Sequence, residues 1–177
     1  MTEKNRLYIL DLDHCLIYAA FQELAGAEFK SKRKWHYLYH RPGLESFLSY
    51  VQKTGDVIFY TSSKKDYASW VVSTFELTVP YTIYSRKYCR KKYTDYGEIY
   101  FKSLSRLPIS KMYTNIIVLD DRTDLWDEYG VQLNDIVPYH GELADKELHR
   151  WKISQIKKQP KLTSLEEILS RRKGNSN

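Results

Sequence analysis

Three apolar runs that end in hydroxyls or acids constrain this chain more than any other feature of it. "LYILDLD" closes on Asp11 and Asp13, "DVIFYTSS" on Thr61 and its serines, and "NIIVLDDRTDLW" on Asp120 and Asp121. A near-continuous apolar run of this length reads as a strand buried on both faces, the habit of parallel sheets. Carboxylates do not belong inside such a strand, so they mark its end. In open parallel sheets the crevice beyond the carboxyl ends of the strands is where ligands bind. Asp11, Asp13, Thr61, Asp120 and Asp121 therefore converge on one crevice.

The segments between the runs supply the helices. In "RPGLESFLSYVQKTG", Pro42 and Gly43 mark a turn, and Leu44, Phe47, Leu48 and Val51 recur at helical spacing. Gly55 sits where a helix C-cap belongs. "KDYASWVVSTFEL" reads as a helix starting near Lys65, "YTIYS" as a short strand and "NDIVPYH" as a fifth. The tail, "DKELHRWKISQIKK" and "SLEEILSRRKG", reads as one or two helices, with a frayed end at "KGNSN". Strands alternating with amphipathic helices predict an α/β fold. It is a Rossmann-like three-layer α/β/α arrangement around a mainly parallel sheet. Two stretches leave the pattern. Residues 19–40 alternate in "KWHYLYH" and predict a small β-hairpin insert, and the basic, Tyr-rich residues 85–101 form a second excursion.

With 177 residues the chain supports one sizeable core, and a single domain over 1–177 is expected. Two cysteines make neither a disulfide framework nor a zinc motif, which favours a reducing compartment. No apolar stretch approaches a membrane span and no leader is apparent at "MTEKNRLYIL", so a soluble intracellular protein, cytoplasmic or nuclear, is expected without a membrane partner. A net charge of +6 favours anionic partners, among them phosphorylated peptides, nucleic acid and phosphate esters, without choosing between them.

Several carboxylates in one crevice repel one another. A divalent cation relieves the repulsion, and carboxylate oxygens suit Mg²⁺. Mg²⁺ beside a lysine would clamp a phosphoryl group. The two acids of "DLD" could then divide the work, one as nucleophile and one as proton shuttle. A lone Asp-x-Asp reads equally as a solvated strand end.

The full set is more specific. "DLDHCL", "YTSSKKDYA", "YFKSLSRL" and "VLDDRTDLW" occur in the order of the four motifs of the haloacid dehalogenase superfamily. With "RPGLESFL" and "SRKYC", they resemble the FCP/SCP-like carboxy-terminal-domain phosphatases with their NIF-type domain, over roughly residues 6–170. "DDRTDLW" is closer to the larger polymerase-tail members than to the small ones. The resemblance implies a Mg²⁺-dependent phosphatase acting through an aspartyl-phosphate. In it Asp11 is the nucleophile and Asp13 the general acid/base, Thr61 bonds phosphoryl oxygens, and Lys102 neutralises the phosphate. It implies that Asp121 binds Mg²⁺ with Asp11 and the backbone carbonyl of Asp13, with Asp120 supporting the metal's water shell. Arg86 and Ser62 become substrate-binding candidates, and the 19–40 insert walls the substrate groove.

Two positions depart from the family pattern. Cys15 replaces the usual Thr with a weaker donor, which predicts a slower or oxidation-sensitive enzyme. Ser103 replaces an Asp beside Lys102. Three functions stay open: a phosphatase for phosphoserine or phosphothreonine in flexible peptides, a nucleotide or polynucleotide 3′-phosphatase, and a weakly active module that binds a phosphorylated partner. The second draws on the "CRKKYTDY" run, which otherwise reads as a solvated face, and the third on Cys15. His14 and Trp126 read as packing residues.

Overall fold

The computed structural model describes residues 5–157, apart from 26, 28, 29, 96, 110–112 and 128–131. In chain order its elements are β1 (Arg6–Leu10), β2 (Ile17–Ala20), β3 (Ser31–Arg33), β4 (His36–His40), α1 (Leu44–Thr54), β5 (Asp56–Tyr60), α2 (Lys65–Val72), β6 (Tyr81–Tyr84), β7 (Arg90–Thr94), β8 (Gly97–Phe101), β9 (Asn115–Asp120), β10 (Gln132–Asp135) and α3 (Glu147–Lys157). The expected helix at "SLEEILSRRKG" and the frayed end lie outside the described residues.

Five strands form one sheet in the order β10-β9-β1-β5-β6, every neighbouring pair parallel. The register sorts the apolar runs by parity. Tyr8 lies beside Val57 and Ile117, and Leu10 beside Phe59 and Leu119; all six face one core with α1, α2 and α3. Leu7, Ile9, Ile58, Tyr60, Ile116 and Val118 face the other. That second layer is built from Cys89, Leu104, Leu107 and Trp126, carried by short 3₁₀ turns and connections, with Tyr84 at the end of β6. β1 is buried on both faces because it is central, which is why its run is apolar without alternation.

α1 packs Leu44, Phe47, Leu48 and Val51 into the first core, as its spacing predicts. Gly43, at φ 84°, needs the left-handed freedom of glycine. Gly55 ends the helix with its N–H on Val51 O, but its backbone is extended. Glycine is required there by close approach: a Cβ would lie 2.7 Å from Arg6 O and 2.8 Å from the Tyr8 ring. The fifth strand begins upstream of "NDIVPYH" and takes in only Asn134 and Asp135 of it. Pro138 lacks an N–H, and β10 uses Gln132–Asp135 at the sheet edge, where polar residues are tolerated.

The insert is a three-stranded antiparallel sheet, β2-β4-β3, so the expected hairpin gains Ile17–Ala20 as a third strand. The second excursion holds an antiparallel hairpin, β7–β8, that runs straight into Lys102. No described helix is long and apolar enough to cross a membrane.

Candidate active site

β1 stops at Leu10 and the chain folds tightly over the sheet's carboxyl edge. The Asp11 N–H donates to Leu119 O at 3.0 Å, and the N–H groups of Cys15, Leu16 and Ile17 all turn back on Leu12 O. His14 takes φ 59°, which lets the turn close. Arg41 clamps it from behind. Its buried guanidinium donates to Cys15 O at 2.9 Å, to Val137 O at 2.6 Å, and to both Asp145 oxygens at 2.9 and 2.8 Å.

Lys102 is pinned by backbone bonds to Leu125 and Asp127. From there its Nζ donates to Asp11 Oδ1 at 2.5 Å and to Asp120 Oδ2 at 2.7 Å. Asp120, the last residue of β9, takes two more donors: Trp126 Nε1 donates to Oδ2 at 2.8 Å, and the Arg122 N–H to Oδ1 at 2.8 Å. Asp11, Asp120 and Asp121 each bring a carboxylate oxygen to within 4.8 Å of the others.

Burial pushes Asp11 well above the usual carboxylate range; Lys102 opposes this, while Asp120 and Asp13 add to it. Burial and Asp120 also raise Asp121. Burial works against the charge on Lys102, but Asp11 and Asp120 outweigh it and hold the ammonium above its usual value. The site is thus a cation among too many anions. Three carboxylates and one ammonium leave two negative charges, the charge one divalent ion neutralises. The donor set is all oxygen, which suits Mg²⁺. The Asp121 carboxylate, with Asp11 and Asp120 beside it, would hold such an ion.

Asp13 points elsewhere. Ser63 Oγ donates to its Oδ2 at 2.8 Å and Tyr67 OH to its Oδ1 at 2.5 Å. Its carboxylate faces a cleft of about 320 Å³, not the trio around Lys102. Thr61 is buried at the end of β5, and its Oγ1 accepts the Ser63 N–H at 3.0 Å. It does not cap α2, whose N-cap is Lys64. Its hydroxyl proton remains for another acceptor.

Arg86 starts a 3₁₀ turn, donates through Nε to Ser62 O at 2.6 Å, and lays its guanidinium 4.6 Å from the Tyr100 ring centre. What Ser62 brings to the site is this carbonyl. His14 packs as expected: Nδ1 lies 3.1 Å from Tyr139 O, with the Tyr18 and His140 rings around it.

Cys15 is fully buried, with Sγ 3.6 Å from Leu119 O, the acceptor a threonine hydroxyl would use. Burial, then the neighbouring Asp11, push the thiol well up. An inaccessible, un-ionised thiol is inert, which corrects the expectation of oxidation sensitivity. In the basic run, Arg90 pairs with Asp127 and Lys91 with Glu98, so much of its charge is internally spent.

Sequence reasoning missed Ser63, Tyr67 and Arg41, and read Trp126 only as core. Ser63 and Tyr67 were within reach, two and six residues past Thr61 on the strand-to-helix turn.

Acids and a lysine at the carboxyl edge of a parallel sheet, with an inserted sheet beside them, define an α/β protein with an acidic crevice. The chain belongs to the NLI interacting factor-like phosphatase family, whose model matches residues 7–167. It is 31% identical over 126 residues to Phosphatase PSR1 of Saccharomyces cerevisiae, covering 68% of this chain and 28% of that one. It is 30% identical over 175 residues to an RNA polymerase II C-terminal domain phosphatase of Encephalitozoon cuniculi, covering 94% and 40%. Among solved structures, that of Fcp1, an essential RNA polymerase II CTD phosphatase, is similar with a TM-score of 0.57 at 24% identity over 88% of this chain and 50% of that one. The beryllium fluoride-bound fission yeast Fcp1 gives 0.53 at 22%, over 88% and 51%. These two likenesses bear on the fold. The chain spans less than half the length of either curated relative.

Proposed function

We propose that this chain is a Mg²⁺-dependent phosphomonoesterase that removes phosphate from phosphoserine or phosphothreonine in flexible peptide segments, through an aspartyl-phosphate on Asp11. The observation that carries the reading is Asp11 held at the sheet edge by Lys102, which is itself fixed by Asp120. Such a carboxylate has one oxygen restrained and the other available.

Bound Mg²⁺ would supply charge neutralisation for the phosphoryl oxygens and for Asp11. The Asp11 oxygen not bonded to Lys102 attacks phosphorus, and the bond to the seryl or threonyl oxygen breaks. Asp13 gives its proton to that leaving oxygen. It then takes a proton from water, which attacks the same phosphorus, breaks the bond to Asp11 and releases inorganic phosphate. Lys102 balances the charge on the phosphoryl oxygens, and the Thr61 hydroxyl donates to one of them. Ser63 and Tyr67 fix the plane of the Asp13 carboxylate. Arg86 faces the substrate side of the same cleft.

The polynucleotide reading is weaker, because two cations of the basic run already have carboxylate partners. The binding-module reading loses its support in the thiol contact of Cys15 to Leu119 O. The test is turnover of p-nitrophenyl phosphate with Mg²⁺, then phosphoserine and phosphothreonine peptides against 3′-phosphorylated oligonucleotides. Peptide turnover is expected to lead. Inactivity on p-nitrophenyl phosphate, or preference for the oligonucleotides, would overturn the proposal.

A further inference from the structure

We infer that the cleft beside Asp13 is a second anion subsite, which selects phosphopeptides carrying an acidic side chain close to the phosphoester. The inference rests on the phosphopeptide reading above and names the kind of peptide.

The cleft of about 320 Å³ lies between the inserted sheet and the start of α2, lined by Asp13, His36, Ser63, Lys64, Tyr67 and Arg86. Two cations converge there without a carboxylate on either. Lys64 is exposed at the N-cap of α2 and makes no ion pair among the described residues. Arg86 spends only Nε, on Ser62 O; its two terminal nitrogens have no hydrogen-bond partner among the described residues. Stacking on Tyr100 holds the fork in place, so little freedom is lost when it takes an oxyanion.

Asp13 keeps its negative charge, because neutral hydroxyl donors do not cancel it, so Lys64 and Arg86 leave the cleft with one net positive charge. Glu98 is taken by Lys91 and the Tyr100 hydroxyl. On β7, Arg90 and Lys91 have carboxylate partners on their own chain, whereas Lys64 and Arg86 have none among the described residues. On the inserted sheet His36 lines the cleft, with the Phe21 ring beside it and the Tyr67 ring of α2 against it. Because Asp13 lies at the back of this cleft, an acidic side chain seated in it belongs to a residue near the phosphoester.

The experiment uses the full chain with Mg²⁺ and phosphoserine peptides of equal length. One residue at a time, out to about three on either side, is set to Ala, Glu or Lys, an extended residue spanning about 3.3 Å. Glu at one or two positions is expected to raise kcat/KM about five- to tenfold over Ala, through KM, as for an ion pair between exposed and fully desolvated. Lys at the same positions lowers it. Lys64→Glu inverts the preference, and Lys64→Ala flattens it. A merely structural role for Lys64 would instead change kcat on every peptide alike and lower the melting temperature. Equal kcat/KM across Glu, Ala and Lys at every position overturns the inference and leaves the phosphatase reading standing, as does a Lys64→Glu protein that still prefers Glu. Turnover of p-nitrophenyl phosphate with none of any phosphopeptide overturns both.

Discussion

Replacing Arg41 by methionine should cost more than any other single change away from the acids. Its guanidinium is 1% exposed and makes four hydrogen bonds, two to Asp145 and one each to Cys15 O and Val137 O. Methionine fills similar space but strands the Asp145 charge, whose side chain is 9% exposed, together with two carbonyls. Breaking a buried pair from one side costs about 3–5 kcal/mol. For a chain of this size that is a fall of about 6 to 20 °C in melting temperature. The assay is urea unfolding followed by two probes, with kcat on p-nitrophenyl phosphate measured in parallel. Turnover should fall too, because Cys15 O belongs to the turn that presents Asp11 and Asp13. Arg41→Met/Asp145→Asn removes the stranded charge while keeping an acceptor for the Glu147 N–H, and should recover about half the loss. Acid supplies a further check. Burial alone would raise Asp145, but its bonds to Arg41 and Glu147 win and hold it below the usual carboxylate value of 3.8. A depressed carboxyl contributes stability above that value and loses it as pH falls through the folded one, so Arg41→Met should flatten the acid limb of stability. An Arg41→Met protein within about 1 kcal/mol of the native, or a double variant no better than the single, would refute the reasoning.

Asp11→Asn should fold with an unchanged unfolding midpoint or better, because a buried charge is removed, and should retain less than about a tenth of native turnover, read on purified protein. Chelation with EDTA should abolish activity, Mg²⁺ should restore it and Ca²⁺ should do so poorly, since it demands more ligands at longer distance; full activity in EDTA would exclude the metal. Cys15→Thr should keep or raise kcat through a stronger bond to Leu119 O, and folded native protein should survive peroxide that labels exposed thiols; loss of activity by about two orders of magnitude in the threonine variant would give the sulfur a chemical role. Gly55→Ala should destabilise by about 1–3 kcal/mol in denaturant unfolding, because its methyl meets the Arg6 carbonyl and the Tyr8 ring, although its backbone angles suit any residue.

What was readable in the sequence depended on how local its cause is. The strand tips were legible because burial on both faces forces a continuous apolar run, and the first polar residues after it must be at the edge. The layer over Leu7, Ile9 and Ile58 was not, since turns and connections carry no periodicity. Arg41 was hidden behind the turn chemistry of Pro42 and Gly43; its partner lies 104 residues away, and nothing local marks an arginine as buried. The family resemblance separates Asp121 from Asp120, but the bonds of Asp120 to Lys102 and Trp126 come from tertiary contacts that no local pattern shows. Nothing local marks Tyr67 on α2 as the residue whose hydroxyl holds Asp13.

The register that sorts β1 by parity also governs quality control. Leu10 lies between Phe59 and Leu119, and the next residue is Asp11, bonded to Leu119 O. A slip of one residue would turn every β1 side chain to the opposite core and carry Asp11 to the wrong side of the edge in the same step. Misaligned chains are therefore unpacked as well as inactive, and no well-folded impostor is available at that strand. Selection acting only on solubility or resistance to proteolysis would then preserve catalysis in β1 without ever testing for it.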